Sequence, residues 1–368
     1  MTKFYIPSLD GLRGLAVTSV FLFHFGRLVN VKVNFEIGWI GVQLFFVLSG
    51  YLITRILLEQ KNQPLSGYLT NFYWRRSLRI FPLYFGYLTI LTCLYIAFRL
   101  PENFSSVAGY LFSYTFNFSI LSSGLHINRM FTHLWSLCVE EQFYLIWPFI
   151  VYFLSAQKLK HLMVTLLIVI PLFRLALYLN LSYKISDSET LGTSIYWLSP
   201  SHFDAFAIGG AVNFLPKTIM RLKSRAWLYI LILIIVSAGT FNFVTQSSNT
   251  SFTSLGFEIH AIDHFDFIWA YSLLNLLFAV TIWFLLQNGS SILSAKPVVF
   301  IGKISYGIYV LHFPIMGLMS KALQQFDLPD AISFFIYAAL TLMAAWASFE
   351  FYEKRFLKLK DSLSPLGS

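Results

Sequence analysis

Long apolar runs are the feature that most limits what this chain can fold into. Ten runs are long enough, or nearly so, to cross the roughly 30 Å hydrocarbon core of a bilayer as helices. They cover residues 11–29, 39–58, 80–98, 136–155, 162–180, 203–215, 227–243, 265–286, 304–322 and 331–352. Charged residues make up only 12% of the chain, against about 25% in soluble domains. We therefore expect an all-α, polytopic membrane bundle of about ten transmembrane helices.

The positive charges indicate how such a bundle is oriented. With ten spans and a cytoplasmic N-terminus, most of the 26 Lys and Arg residues lie on the cytoplasmic side. A further apolar stretch, at about 105–121, is interrupted by Ser and Asn and is interpreted as a re-entrant or interfacial segment. If it were an eleventh span, the basic KRFLKLK tail would lie outside. We therefore expect both termini in the cytoplasm.

The same pattern predicts the domain organisation. We expect one integral-membrane domain over 1–355 and a short basic cytoplasmic tail over 356–368, whose last letters are typical of a cloning remnant. The longest predicted loops are at 59–79, 181–202 and 244–264, so any chemistry must occur within the bundle or at its mouths. The net charge of +9 follows from the orientation and indicates no nucleic-acid partner. Lipid is an expected partner, and association into a homo-oligomer is left open.

Arg13 and His24 stand in the first apolar run, eleven residues apart. At about 100° per residue they share one helix face, and the rise between them is about 16 Å. Arg13 is thus expected at the cytoplasmic interface and His24 near the middle of the hydrocarbon core. Such groups cost about 2.5–3.5 kcal/mol in a span, so each needs a partner or a function. A general base is one interpretation of His24; a helix-packing histidine and an interfacial arginine are the alternatives.

Three arginines precede the third apolar run. They are Arg75, Arg76 and Arg79. Arg76 and Arg79 are three residues apart, share a helix face and form a fork suited to phosphate oxygens. An ordinary positive-inside anchor is the alternative. Together with Arg13 on the same side, the three favour an anionic ligand that enters from the cytoplasm.

The fourth apolar run carries two neighbouring carboxylates. Glu140 lies one turn from both Ser136 and Tyr144 and is expected to face a polar groove, whereas Glu141 points about 100° away and is expected to be solvated. A carboxylate near the outer mouth could orient a histidine or bind sugar hydroxyls. The alternative is a purely structural pair with an arginine such as Arg174.

Two further places carry polar residues that could support a site. Asp204 follows His202 at the start of the sixth run, where Gly209 and Gly210 allow close helix contact. In the ninth run a stripe of polar residues recurs at helical spacing. Its members are Ser305, Tyr309 and His312. Each of these residues alone more often helps helices to associate than binds substrate.

Several kinds of site are not indicated. The sequence holds no P-loop, GxGxxG or GxSxG pattern and no convincing metal cluster. Cys138 is disfavoured as an acyl-carrying nucleophile because no basic residue lies at a helical spacing that would activate it. We expect no metal and no tightly bound cofactor.

The combination of motifs resembles the acyltransferase-3 family of bacterial inner-membrane O-acyltransferases, from about residue 5 to residue 355. The matching elements are, in family order, LDGLRGLAVTSVFLFHF, GVQLFFVLSGYLI, RRSLRIFPLY, LWSLCVEEQFYLIWP, HFDAFAIGG and ISYGIYVLHFP. The family's R-x10-H pair corresponds to Arg13 and His24, its RxxR pair to Arg76 and Arg79, and its glutamate to Glu140.

The resemblance implies transfer of an acyl group, usually acetyl, from cytoplasmic acyl-coenzyme A to a hydroxyl of a glycan or lipid-linked sugar on the outer side. The donor would be a co-substrate, bound by the arginines, with His24 as the general base. Many members carry a fused SGNH-type domain; none follows the tenth run here, so we expect the stand-alone type. A transporter or flippase of a glycan intermediate is the alternative, although the repeats it predicts are not evident.

Overall fold

The computed structural model describes residues 5–29, 35–121, 128–215, 221–245, 251–259, 262, 265–326 and 328–362. These residues form helices and connections, with no β-strand among them. The chain divides into two compact units. Unit 1 is formed by the described residues of 1–55 and 154–303, and unit 2 by those of 56–153 and 304–368.

The α-helices follow one another along the whole described chain. In order they are α1 (Pro7–Val29), α2 (Ile40–Gln60), α3 (Leu65–Phe98), α4 (Phe104–Phe112), α5 (Trp135–Phe153), α6 (Ala156–Leu181), α7 (Ser188–Trp197), α8 (Phe203–Ala211), α9 (Arg221–Thr245), α10 (Asp266–Asn288), α11 (Lys296–Lys303), α12 (Ser305–Gln324), α13 (Asp330–Ala347) and α14 (Lys354–Ser362). Unit 1 holds α1, most of α2 and α6 to α11, and unit 2 holds α3 to α5 and α12 to α14.

Short 3-10 turns and capping residues set several helix ends. The 3-10 turns cover Glu36–Trp39, Phe116–Leu121, Thr132–Leu134, Ser199–His202, Val212–Phe214 and Phe252–Ser254, and Ser348–Glu353 is a π-helical turn. At the start of α7, the Asp187 side chain accepts a hydrogen bond from the Thr190 backbone N–H at 2.8 Å. At the end of α10, Gly289 adopts φ +66°, which favours glycine.

Six helical segments of the described chain are long and apolar enough to cross a membrane. They are Glu36–Gln60, Leu65–Phe98, Ala156–Leu181, Ser224–Thr245, Asp266–Asn288 and Asp330–Leu359. A seventh is added if Lys296–Lys303 and Ser305–Ser320 form one broken span. The fold is therefore that of a multi-pass membrane protein. The ten crossings and the side of the termini are not established by these helices.

The third helix is longer than its apolar run predicts. It begins at Leu65 and not near residue 80, so most of the predicted 59–79 loop is helical. Tyr68 and Phe72 are buried on one side of this first part, at 0% and 3% exposure. The arginines of this part of α3 lower its mean hydropathy. The apolar run therefore begins later than the helix, whose first part is amphipathic.

The sixth predicted span also differs from the structure. The helix α8 has nine residues, or about 13.5 Å, which is short of a bilayer core. Its apolar character has another cause, since Asp204–Gly210 are buried inside the protein. At Gly209 an added Cβ would lie 2.0 Å from the Val47 carbonyl oxygen of α2, which confirms the close helix contact predicted there.

Candidate functional site

Arg13 and His24 both lie on α1, one continuous helix in unit 1. Their spacing places them on one face, about 16 Å apart along the axis. The Arg13 guanidinium is held by Asp10, with Nη1 2.7 Å from Oδ1, and the half-exposed His24 ring packs on Phe23, with 5.3 Å between ring centroids. The sequence reasoning missed Asp10, although a carboxylate three residues before an arginine is a recognisable helix pair.

The first turns of α1 are fixed by close backbone packing. A Cβ on Gly11 would lie 1.9 Å from the Leu293 carbonyl oxygen, and a Cβ on Gly302 would lie 1.8 Å from the Asp10 carbonyl oxygen. Only glycine permits this approach between α1 and the segment that ends in α11. The turn that carries Asp10 and Arg13 is therefore held rigidly within unit 1.

Arg75, Arg76 and Arg79 lie within α3, in unit 2. Arg75 and Arg76 are half-buried and Arg79 is exposed. The Arg76 guanidinium carbon stands 5.2 Å from the centroid of the Tyr144 ring on α5, a distance at which a cation is attracted to the ring face. The structure thus places the three cations on a rigid helix and not on the predicted loop, and one of them stacks on the carboxylate-bearing helix.

Glu140 and Glu141 are both half-buried on α5. The expectation that Glu141 is solvated is wrong for one of its oxygens, because Oε1 is buried and has no hydrogen-bond partner among the described residues. Glu141 Oε1 is buried because the turn that contains Tyr114 packs against this part of α5. Gln142 donates from Nε2 to the Tyr114 carbonyl oxygen at 2.7 Å and to Asn117 Oδ1 at 2.9 Å, so this side of α5 is covered by protein.

The polar stripe of α12 is buried in unit 2. Ser305, Tyr309 and His312 are 5%, 5% and 1% exposed. The Tyr309 hydroxyl donates to the His133 carbonyl oxygen at 3.0 Å and is hydrogen-bonded to Ser136 Oγ. This group joins α12 to the start of α5, one turn before Glu140.

His133 belongs to this group, and the sequence reasoning missed it. Its Nε2 is 3.0 Å from the Val310 carbonyl oxygen, so Nε2 carries the hydrogen and donates it. In a regular helix that carbonyl would accept from the residue four positions later, which here is Pro314 and has no N–H. The proline in the LHFP motif was the available signal, because it leaves a buried carbonyl in need of a donor from elsewhere.

Asp204 lies in a buried network of unit 1. It is ion-paired with Arg174, and both side chains are 0% exposed. Ser272 also donates to its Oδ2. The sequence leaves Arg174 open as a structural partner of Glu140; in the structure Arg174 pairs with Asp204. This placement favours a structural role for Asp204 over a substrate-binding one.

His202 is buried beside that network. Gln43 Nε2 lies 3.2 Å from its Nδ1, and its Nε2 is hydrogen-bonded to the Tyr196 carbonyl oxygen. Because the carbonyl only accepts, Nε2 donates and Nδ1 accepts from Gln43. Both ring nitrogens are thus engaged within unit 1.

The predicted site residues are therefore divided between the units. Unit 1 holds Arg13, His24, His202 and Asp204, whereas the three arginines of α3, the two glutamates and the α12 stripe belong to unit 2. Guanidinium groups on a rigid helix can bind phosphate, and a half-exposed imidazole can accept a proton from an alcohol.

Comparison with known families identifies the chain. The family described as an acyltransferase domain matches residues 6–350. The chain belongs to the acyltransferase-3 family. The acyltransferase-3 match covers both units and every residue singled out above.

Two individual proteins are also similar to this chain. "Peptidoglycan O-acetyltransferase OatA" of Listeria monocytogenes is 33% identical over 369 residues, covering 95% of this chain and 55% of the relative. "O-acetyltransferase OatA" of Staphylococcus aureus is 26% identical over 363 residues, covering 95% and 57%. The chain thus spans little more than half the length of these relatives. No solved structure matches it.

Proposed function

We propose that this protein is a membrane O-acyltransferase that moves an acetyl group from cytoplasmic acetyl-coenzyme A to a hydroxyl of a cell-envelope glycan. The observation that carries the proposal is the acyltransferase match over residues 6–350, together with relatives named as O-acetyltransferases. One relative is named for peptidoglycan, so peptidoglycan or a lipid-linked sugar is the proposed acceptor. The flippase alternative is not favoured by these comparisons.

The proposed location is the bacterial inner membrane. We keep ten crossings with both termini in the cytoplasm, because the asymmetry of Lys and Arg in the sequence supports that orientation.

The donor is proposed to bind through its phosphates to Arg75, Arg76 and Arg79; a role for Arg13 as a further cation stays a prediction from the sequence. A guanidinium group can bind a phosphate through two parallel N–H···O hydrogen bonds, and its affinity for phosphate rises when the group is fixed in place. The placement of three arginines on α3 supports this role, since a helix fixes the spacing of their backbone positions before the ligand binds.

His24 is proposed to act as the general base. It takes the proton of the acceptor hydroxyl while the hydroxyl oxygen attacks the thioester carbonyl. A carbon–oxygen bond forms, the carbon–sulfur bond breaks, and the proton is passed to the departing thiolate of coenzyme A. Glu140 is proposed to orient the acceptor or a histidine.

Binding of the donor can be tested on the purified full chain in detergent. Saturating acetyl-coenzyme A is expected to raise Tm, because a ligand that binds the folded state stabilises it. In an Arg76→Ala, Arg79→Ala double variant the affinity is expected to fall about 10- to 100-fold, for the loss of charge-assisted hydrogen bonds. Arg355→Ala, an exposed arginine of the same unit, is the matched control. An unshifted wild-type Tm would contradict the donor assignment.

The chemical step is tested with His24→Ala. This variant is expected to lose acetyl transfer while its affinity for coenzyme A stays within about twofold of wild type. Transfer is followed by the release of free thiol, and the acceptor by mass spectrometry of surface glycans from cells with and without the gene. Normal turnover by His24→Ala would refute the assignment of the base.

A further inference from the structure

Glu141 and Tyr114 each keep one buried side-chain oxygen without a hydrogen-bond partner in the described chain. The atoms are Glu141 Oε1 and the Tyr114 hydroxyl oxygen. A buried polar group without a hydrogen-bond partner destabilises the folded state. Both residues as a whole are half-buried, so part of each residue lies at the accessible surface of unit 2 while these two atoms lie beneath it. Two such atoms call for a common explanation.

The two residues meet at one junction. Gln142, the next residue after Glu141 on α5, donates to the Tyr114 carbonyl oxygen at 2.7 Å. The Tyr114 ring stacks on Tyr84 of α3, with 4.2 Å between centroids and 18° between planes. The pKa of the Tyr114 phenol is raised by burial and by the nearby Tyr306 and Glu141 side chains. The turn with Tyr114 therefore faces the Glu141 side of α5.

The backbone at Tyr114 is strained as well. Its φ is +54°, a left-handed conformation that is unfavourable for a residue with a Cβ. Tyr114 thus combines an unfavourable backbone with an unsatisfied hydroxyl. Strain of this kind is retained where it holds a side chain in a functional position.

The junction adjoins the arginines proposed for the donor phosphates. The Arg76 guanidinium stacks on Tyr144, three residues after Glu141 on α5, at 5.2 Å. The Tyr73 hydroxyl of α3 donates to the Leu145 carbonyl oxygen of α5 at 2.8 Å. Glu141 and the cations therefore stand on two helices that are in contact within unit 2, and Tyr114 lies on the turn beside them.

We infer that Glu141 and Tyr114 bind a secondary amide of the pantetheine arm of acyl-coenzyme A. The inference rests on the proposed function. One oxygen of the Glu141 carboxyl group accepts the amide N–H, and the Tyr114 hydroxyl donates to the amide carbonyl. A carboxyl oxygen is an acceptor and a phenol is a good donor, and an amide presents both complements in a rigid plane. The arm of coenzyme A carries two such amides next to its phosphates.

The test compares two ligands by calorimetry on the purified full chain. Coenzyme A carries the arm, and 3′-phospho-ADP has the same phosphates without it. Tyr114→Phe is expected to lower the affinity for coenzyme A about five- to tenfold, which is the effect of one hydrogen bond. Its affinity for 3′-phospho-ADP is expected to stay within about twofold of wild type. Glu141→Ala is expected to have the same effect on both affinities. Glu141→Gln keeps an acceptor oxygen and is expected to lower the affinity for coenzyme A less than Glu141→Ala does.

Two controls separate binding from folding. Tyr110→Phe removes an exposed phenol from the neighbouring helix α4 and is expected to change neither affinity. Because the Tyr114 hydroxyl has no partner among the described residues, Tyr114→Phe is expected to keep the wild-type Tm or to raise it. A lower Tm with both affinities unchanged would mean a structural role and overturn the inference.

Other results also overturn it and can be told apart. If Tyr114→Phe weakens both ligands equally, the arm is not what these residues contact. If the affinity for coenzyme A is unchanged but the KM for the glycan rises, Glu141 and Tyr114 bind the acceptor and not the donor. If wild-type protein binds neither ligand, the proposed donor itself is wrong, and the inference fails with it.

Discussion

Arg174 and Asp204 form an ion pair whose two side chains are both fully buried in unit 1. The Arg174 guanidinium also donates to the carbonyl oxygens of Ser201 at 3.0 Å and of Ile268 at 2.8 Å. Removing one member of such a pair leaves an uncompensated charge, which costs about 3–5 kcal/mol. We expect Asp204→Ala and Asp204→Asn both to lower Tm strongly in detergent.

The same variants decide whether Asp204 binds substrate. If its role is structural, the fraction that stays folded keeps a normal KM for both substrates. A wild-type Tm in Asp204→Asn, together with a raised KM for the acceptor, would instead establish the substrate-binding role that the sequence suggested.

Close packing of α8 on α2 predicts intolerance at Gly209. A Cβ there would lie 2.0 Å from the Val47 carbonyl oxygen, and backbone cannot yield as a side chain can. We expect Gly209→Ala to destabilise unit 1 by about 1–3 kcal/mol, measured as a lower Tm. Gly109 of α4 has open space at its Cβ, so Gly109→Ala is the control and should be neutral or stabilising. Equal effects of the two substitutions would contradict the packing argument.

The apolar runs located most long helices because a membrane helix is apolar whether it faces lipid or protein. For the same reason they could not tell a crossing from a buried helix. The short α8 reads as a span because protein surrounds it. The sequence predicts a loop for the first part of α3 because the arginines of this amphipathic helix interrupt the apolar run.

Periodicity likewise predicted only those parts of the site that lie on one helix. Arg13 and His24 share α1 as expected, because helical spacing is local. The pairing of Arg174 with Asp204 joins different helices, so no spacing could reveal it. Glu141 is partly buried by the turn at Tyr114, to which the neighbouring Gln142 is hydrogen-bonded. That turn is distant from Glu141 in the sequence, so helical spacing could not predict this burial.

The cap of α7 predicts a local pH effect. Hydrogen bonds from the Thr190 side chain and backbone hold the pKa of Asp187 below its ordinary value. Stabilisation by a carboxylate of lowered pKa is present above its unfolded pKa and is lost as pH falls through the folded pKa. We expect hydrogen-exchange protection of the Thr190 amide to decline in acid, and Asp187→Asn, which still caps but does not titrate, to remove that decline. An unchanged pH dependence in this variant would refute the assignment.

The bond from His133 to Val310 predicts a dependence on Pro314. His133 supplies the donor that the proline cannot give to the Val310 carbonyl. His133→Ala should therefore lower Tm by leaving that buried carbonyl unsatisfied, at a cost of about 1–3 kcal/mol. In a Pro314→Ala background the N–H of Ala at that position can close the helical bond, so the same substitution should cost clearly less. A double-mutant cycle of unfolding measures this coupling, and equal costs in both backgrounds would show that His133 acts through other contacts.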